Sequence, residues 1–331
     1  MQNPVYKTTI VEINPRLHIT LIGMNRTGYR INGGVGFSLS EPSMKIKAVI
    51  SKTISLIDLR DFPFSPKELR RIKEVISMEK KRLKFSHNVN IEISGAMPTH
   101  FGFGSSTATR LACLEALHIL NGNKPKKNQL ITASGRGGTS GIGVNTYFEG
   151  GFVVDLGRKA KNYFYLPSQL TEKRSEMPLL MQRLDMPNWD IGVCIPNKIQ
   201  EKSEKEEVEF FKKTCPISPA NVNKILYNVI YGLYAAVREH SKYTFCLAIR
   251  EIQKCEWKQA ERRQYGNSLL KVEQQLYSCG AHAVGMSSLG PSIFFLADNI
   301  NSVIEKIKIE NVNCRIFIAR PSNKGRIIIN G

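Results

Sequence analysis

Three runs of small residues in this chain have the composition of anion sites. The first, PTHFGFGSST at 98–107, runs into a helical pattern with Leu111, Leu114, Ala116, Leu117 and Ile119 mostly on one side. Gly102 and Gly104 let backbone come close to an anion, and the open N–H groups of a first helical turn, aided by the helix dipole, point at it. Ser105, Ser106 and Thr107 add hydroxyls, with Ser106 the candidate for reaching a Mg²⁺ carried on bound phosphate. The lysine of GxxxxGK[ST] is missing, which separates this run from an ordinary P-loop. The second run, GRGGTSGIG at 135–143, offers backbone donors at Gly137, Gly138, Thr139, Ser140 and Gly141, and Arg136 has the fork geometry to hold a phosphate or carboxylate. The third, GMSSLGP at 285–291, contributes Ser287, Ser288 and Gly290. Any one of them can be a capped helix or a plain connection. Three together imply one anion site assembled from distant segments.

Cations flank these runs. Arg16 and His18 alternate on an apolar strand and so share one face of a sheet; a lone strand histidine is usually a core residue, and contact with substrate is the sharper alternative. Arg30 and Asn32 have the same spacing beside Gly33-Gly34, and a buried arginine normally meets an anion. Asp155 closes a strand, where it can orient a partner or a metal, or cap a turn.

The elements that must position these residues alternate between strand and helix. Apolar alternation at 6–21 and 44–51 predicts strands, Ser65-Pro66 opens a helix running to about 85, and 88–94 is a strand leading into the first glycine run. A short helix at 129–134 precedes the second run, which finishes in a strand at 151–155. Beyond a thinning of apolar residues near 159–169 come a strand at 189–195, a charged run at 198–209, and long helices at 219–238 and 244–257. A helix at 266–278, a hairpin around the third run, a helix at 300–309 and a strand at 314–319 follow. The expected division is a lobe of residues 1–165 and a second of 166–331.

The composition excludes several classes. With 331 residues, 42% hydrophobic and 23% charged, the chain has the make-up of a folded globular protein, and no apolar run nears the roughly 20 residues that span a bilayer. A cytoplasmic protein is the expectation. The seven cysteines show no CxxC or Cys/His ligand spacing and read as reduced thiols. The net charge of +19 raises the thought of nucleic acid, yet the basic runs at 80–84 and 124–127 lack the interleaved aromatics of a stacking platform. Such a charge also steers small polyanions.

The order PRLH, PTHFGFGSSTATRLACLEAL and GMSSLGPSIFFL resembles the galactokinase, homoserine kinase, mevalonate kinase and phosphomevalonate kinase (GHMP) superfamily. Within it, RLHITLIGMNRTGYRINGGVGFSL, GRGGTSGIGVNTYFEGGFVVDLG and GMSSLGP resemble the beta-ribofuranosylaminobenzene 5'-phosphate synthase family of methanopterin biosynthesis. The resemblance implies a two-lobed α+β fold, with a first lobe like ribosomal protein S5 domain 2 and a ferredoxin-like second lobe. It also implies condensation of phosphoribosyl pyrophosphate with a 4-hydroxy- or 4-aminobenzoate, losing pyrophosphate and carbon dioxide to form a C-riboside, with Mg²⁺ as helper and a homodimer as the assembly. Arg16, Arg30 and Arg136 then become the candidate cations for the acceptor carboxylate. The family tends to carry acidic residues where this chain has Gly23 and Asn32. An ATP-dependent small-molecule kinase using the same loop is the first alternative, and a non-catalytic RNA-binding protein the second.

Overall fold

The computed structural model describes residues 6–26, 28–160, 165–166, 177–197, 199, 202–310 and 312–331. In chain order, β1 (Thr8–Ile13), β2 (Arg16–Gly23), β3 (Arg30–Ser38), β4 (Met44–Ser51) and β5 (Ser55–Asp58) precede α1 (Pro66–Leu83) and β6 (Asn88–Gly95). The helices α2 (Ser105–Leu120), α3 (Lys127–Ser134) and α4 (Ile142–Glu149) lead to β7 (Phe152–Asp155), β8 (Arg158–Lys159), β9 (Leu180–Leu184) and β10 (Ile191–Pro196). Then come α5 (Glu204–Thr214) and α6 (Pro219–Tyr227), a π-helical stretch (Asn228–Tyr234), α7 (Ala235–Glu239), α8 (Lys242–Gln253), α9 (Glu256–Arg263) and α10 (Gly266–Ser278). The hairpin β11 (Ala283–Met286) and β12 (Ile293–Leu296), α11 (Ile300–Ile309), β13 (Cys314–Ala319) and β14 (Ile327–Asn330) complete the described elements.

Among the described residues the strands form three sheets, in the orders β14-β1-β4-β6-β5, β2-β3-β7-β9 with β8 attached to β3, and β11-β12-β10-β13. This is the α+β architecture expected from the sequence. Two strands beyond residue 165 join sheets of the first half: β9 pairs with β7, and β14 pairs with β1 in register Thr9 to Asn330. The burial pattern of β1, half-buried and buried by turns, shows one face on the core, whereas β7 and β10 are buried throughout because both their faces are covered.

Two buried polar networks hold the segments that carry the first and second small-residue runs. Arg60 Nε and Nη2 donate to the Asp58 carboxylate at 2.8 and 2.6 Å, and its other hydrogen bonds go to the Met97 carbonyl and Thr99 Oγ1, at the entrance to the first run. Arg326, just before β14, grips Glu115 of α2 through Nε and Nη2 at 2.9 and 2.5 Å, while Tyr147 of α4 donates its hydroxyl to the same carboxylate at 2.6 Å. Removing one partner of such a pair leaves a charge without compensation in a poorly solvated place. Arg326→Ala is therefore expected to cost about 3 kcal/mol, seen as a lower urea midpoint with an unchanged m-value.

Candidate active site

All three small-residue runs meet in one cleft. Its wall includes Arg16, His18, Gly102, Gly104, Ser105, Ser106 and Thr107, then Arg136, Gly137, Thr139 and Ser140, and finally Ser288 and Gly290. Gly102 and Gly104 sit at φ +88° and +79°, the left-handed region that favours glycine, and Gly104 precedes α2 without any side chain to cap the first-turn N–H groups. That end of the helix faces the cleft as an anion site. A Cβ on Gly104 would lie 3.0 Å from Cγ and Nε of Arg16, so the missing side chain is the space in which Arg16 lies.

Ser287 is the junction of the first and third runs. Fully buried, it donates its hydroxyl to the Gly102 carbonyl at 2.8 Å and accepts the backbone N–H of His18 at 3.0 Å. The Ser288 N–H returns to the His18 carbonyl at 2.8 Å. Beneath this turn, buried Lys258 of α9 donates to the Met286 carbonyl at 2.9 Å and pairs with Glu261. Lys258 was not apparent in the sequence, where EWKQAE has the spacing of an ordinary surface ion pair.

Two guanidiniums face the cleft with donors to spare. Arg16 Nη1 donates to the Gly102 carbonyl at 2.6 Å, and Arg136 Nη2 donates to Ser106 Oγ, yet Nε of each is buried with no hydrogen-bond partner. Burial lowers Arg16 to about 10 and Arg136 to about 9, the neighbouring charge of Arg110 adding to the second. Under-paired cations, Arg136 buried and Arg16 half-buried, beside an uncapped helix start are the arrangement an anion would complete. Leu21, Val144, Phe211, Trp257 and Leu289 supply apolar surface to the same cleft, which His100, Glu207 and Glu261 also line.

Other sequence candidates lie elsewhere or have structural partners. The structure does not bring Arg30 to the cleft wall: its Nε and Nη2 donate to the carbonyls of Leu156 and Gly157 at 2.8 and 2.7 Å. Thr139 gives its hydroxyl to the Leu166 carbonyl at 2.5 Å. Gly138 and Gly141 belong to the loop behind the wall, where the Gly141 N–H is donated to Asp155 at 2.9 Å. Gly23 and Asn32, the two departures from the family pattern, are cross-strand partners on β2 and β3. The Asn32 side chain is buried with both amide atoms unpaired.

Among the described residues no cluster of three or more histidine, cysteine, aspartate or glutamate side chains could hold a metal ion by itself. A magnesium ion that arrives on substrate phosphates needs only one or two protein oxygens. Ser106 Oγ, which accepts from Arg136 and keeps a lone pair, and the Glu207 carboxylate lie on the same wall and fit that need.

Residues 70–149 match the model of the GHMP kinases N terminal domain, a span that covers the first and second runs and α2. A beta-ribofuranosylphenol 5'-phosphate synthase of Archaeoglobus fulgidus is 33% identical over 94% of this chain and 96% of its own length. The chain belongs to the beta-ribofuranosylphenol 5'-phosphate synthase family. A family member from Methanothermobacter thermautotrophicus is 28% identical, over 97% of this chain and 95% of its own. The fold of the synthase chain is that of the wider superfamily. Homoserine kinase from Cytophaga hutchinsonii superposes with a TM-score of 0.68 at 17% identity, covering 98% of both chains. Mevalonate diphosphate decarboxylase from Staphylococcus aureus gives 0.66 at 14% identity, again over 98% of each. No described helix of this synthase-family chain is long and apolar enough to cross a membrane.

Proposed function

We propose that this protein condenses phosphoribosyl pyrophosphate with a 4-hydroxy- or 4-aminobenzoate, releasing pyrophosphate and carbon dioxide and forming a C-riboside 5'-phosphate. The observation that carries the reading is the pair of under-hydrogen-bonded guanidiniums, Arg16 and Arg136, sharing one cleft with the uncapped start of α2 and a set of apolar side chains. The donors suit a pyrophosphate that gains charge as it leaves, and the apolar surface suits an aromatic ring. The N–H groups and hydroxyls of the first run are fixed before the reaction, so they need no reorganisation as the C1–O bond breaks. Arg16 is the better placed of the two to hold the acceptor carboxylate, because it alternates with His18 on β2. Mg²⁺ on the pyrophosphate, held by Ser106 and Glu207, would neutralise part of the leaving charge. The cleft draws its wall from both proposed lobes, 1–165 and 166–331. A homodimer and a cytoplasmic setting belong to the same proposal, carried by the family resemblance.

The test is incubation with phosphoribosyl pyrophosphate, Mg²⁺ and 4-hydroxybenzoate or 4-aminobenzoate, following pyrophosphate and labelled carbon dioxide. One-to-one release is expected. Transfer of a γ-phosphate from labelled ATP, with neither product formed from phosphoribosyl pyrophosphate, would install the kinase reading instead.

A further inference from the structure

Asp155 is not part of the cleft wall. It is fully buried at the end of β7, where Oδ1 accepts the Gly157 N–H at 2.9 Å and Oδ2 accepts the Gly141 N–H at 2.9 Å. Oδ2 also takes the Ser140 hydroxyl at 3.2 Å. Ser140 Oγ in turn accepts the Ile142 N–H at 3.2 Å and lies 3.2 Å from Nε2 of His18. A hydroxyl has one proton and two lone pairs. With its proton on the carboxylate and one lone pair on Ile142, the remaining lone pair must meet an N–H, so Nε2 carries the proton and Nδ1 does not. The pair is seated by Gly34, where a Cβ would stand 2.8 Å from His18 Nε2 and 3.1 Å from Ser140 Oγ. His18 lines the cleft, and its Nδ1 has no hydrogen bond among the described residues.

We infer that Asp155 and Ser140 are positioning residues that fix the tautomer of His18, making Nδ1 the base for the hydroxyl proton of a phenolic acceptor. This rests on the reaction proposed above. The acceptor O–H proton passes to Nδ1, and its bonding pair stays on oxygen and pushes density to the para carbon that bears the carboxylate. That carbon bonds to ribose C1 as the C1–O pair leaves with pyrophosphate. The C–CO₂ bond then breaks, its electrons restore the aromatic ring, carbon dioxide departs, and Nδ1 returns the proton to the phenolate oxygen. Burial, Arg16 and Lys258 hold the imidazole well below its ordinary value, so His18 waits neutral. An anion bound on Arg16 offsets part of that field and strengthens the base when substrate is present. Burial also pushes Asp155 up to about 7 against its three hydrogen-bond donors and the charge of Arg30. Below that pH the carboxyl becomes a donor to Ser140, the serine proton turns to Nε2, and the tautomer reverses.

Nitrogen-15 spectra of labelled histidine decide the relay without any turnover. At pH 8 His18 is expected as the Nε2–H tautomer, shifting toward Nδ1–H as the pH falls through about 7. Ser140→Ala and Gly34→Ala should each mix the tautomers, and Ser140→Thr should restore the wild-type signal. A Nδ1–H form in the wild type at pH 8, or a signal unchanged in Ser140→Ala, overturns the relay. For the base, Ser140→Ala is expected to lower kcat about 100-fold with 4-hydroxybenzoate but less than about 10-fold with 4-aminobenzoate, whose nitrogen lone pair needs no deprotonation. Equal losses, or no turnover of 4-hydroxybenzoate by the wild type, overturn the base. The spectra still judge the relay if the proposed reaction itself is absent.

Discussion

Ser106→Ala combined with Arg136→Ala is expected to lower turnover at least about 1,000-fold while leaving the protein folded. Single preorganised donors to developing charge are worth roughly 100- to 1,000-fold, and arginines on transferring phosphoryl groups reach more. The expectation of an intact fold has its own reason. Burial depresses Arg136, so its charged form is held there at a cost, and its guanidinium donates to the Ser106 hydroxyl that the double variant also removes. Alanine at both positions leaves no charge stranded. Pyrophosphate release would measure the loss and a urea titration would check the fold; wild-type rates in the double variant would refute the placing of the leaving group.

Gly102→Ala is expected to be nearly as damaging by another route. At φ +88° any side chain is strained by roughly 1–2 kcal/mol, and the new Cβ would stand 2.4 Å from the Ser287 carbonyl oxygen. The first and third runs must then part, taking with them the hydrogen bond from Ser287 to the Gly102 carbonyl and the attachment of His18. About 3 kcal/mol of stability and at least about 100-fold in turnover should go together. Gly122→Ala is the control. Its φ is +72° with no atom within 4 Å of the added Cβ, so it carries the strain without the collision. A loss of about 1 kcal/mol with unchanged turnover is expected there, from urea unfolding and the same assay. Equal effects of the two substitutions would show that backbone strain, not the junction, governs residue 102.

What the sequence disclosed follows physical lines. Strand alternation in β1 and β4, the breaker-free apolar face of α2, and the three small-residue runs were readable because each signal is local. The convergence of those runs was an inference from composition that the cleft bears out in its geometry. By contrast, α4 is hidden by a glycine-rich stretch, since Ile142–Glu149 takes in the last glycine of the run, Gly143, as its second residue. Helix α5 reads as a charged run, although Ser203 and Glu206 form the capping box that marks its start. The short strands β5, β9 and β14 carry little pattern of their own and are defined by partners far away in the chain. Arg30 illustrates the limit of reading buried arginines as anion ligands. Two backbone carbonyls satisfy it as well as a phosphate would, and nothing in the sequence separates the two.

The pairing of β1 with β14 also sets a timetable. Thr9 and Asn330 are 321 positions apart, so on a ribosome adding about 5–20 residues per second the first strand waits on the order of 15–60 s for its neighbour to be made. During that interval β1 is an open edge with alternating apolar residues, the kind of surface on which unfinished chains associate. Growth temperature and chaperone supply during expression should therefore govern the yield of soluble protein more than the stability of the finished molecule does.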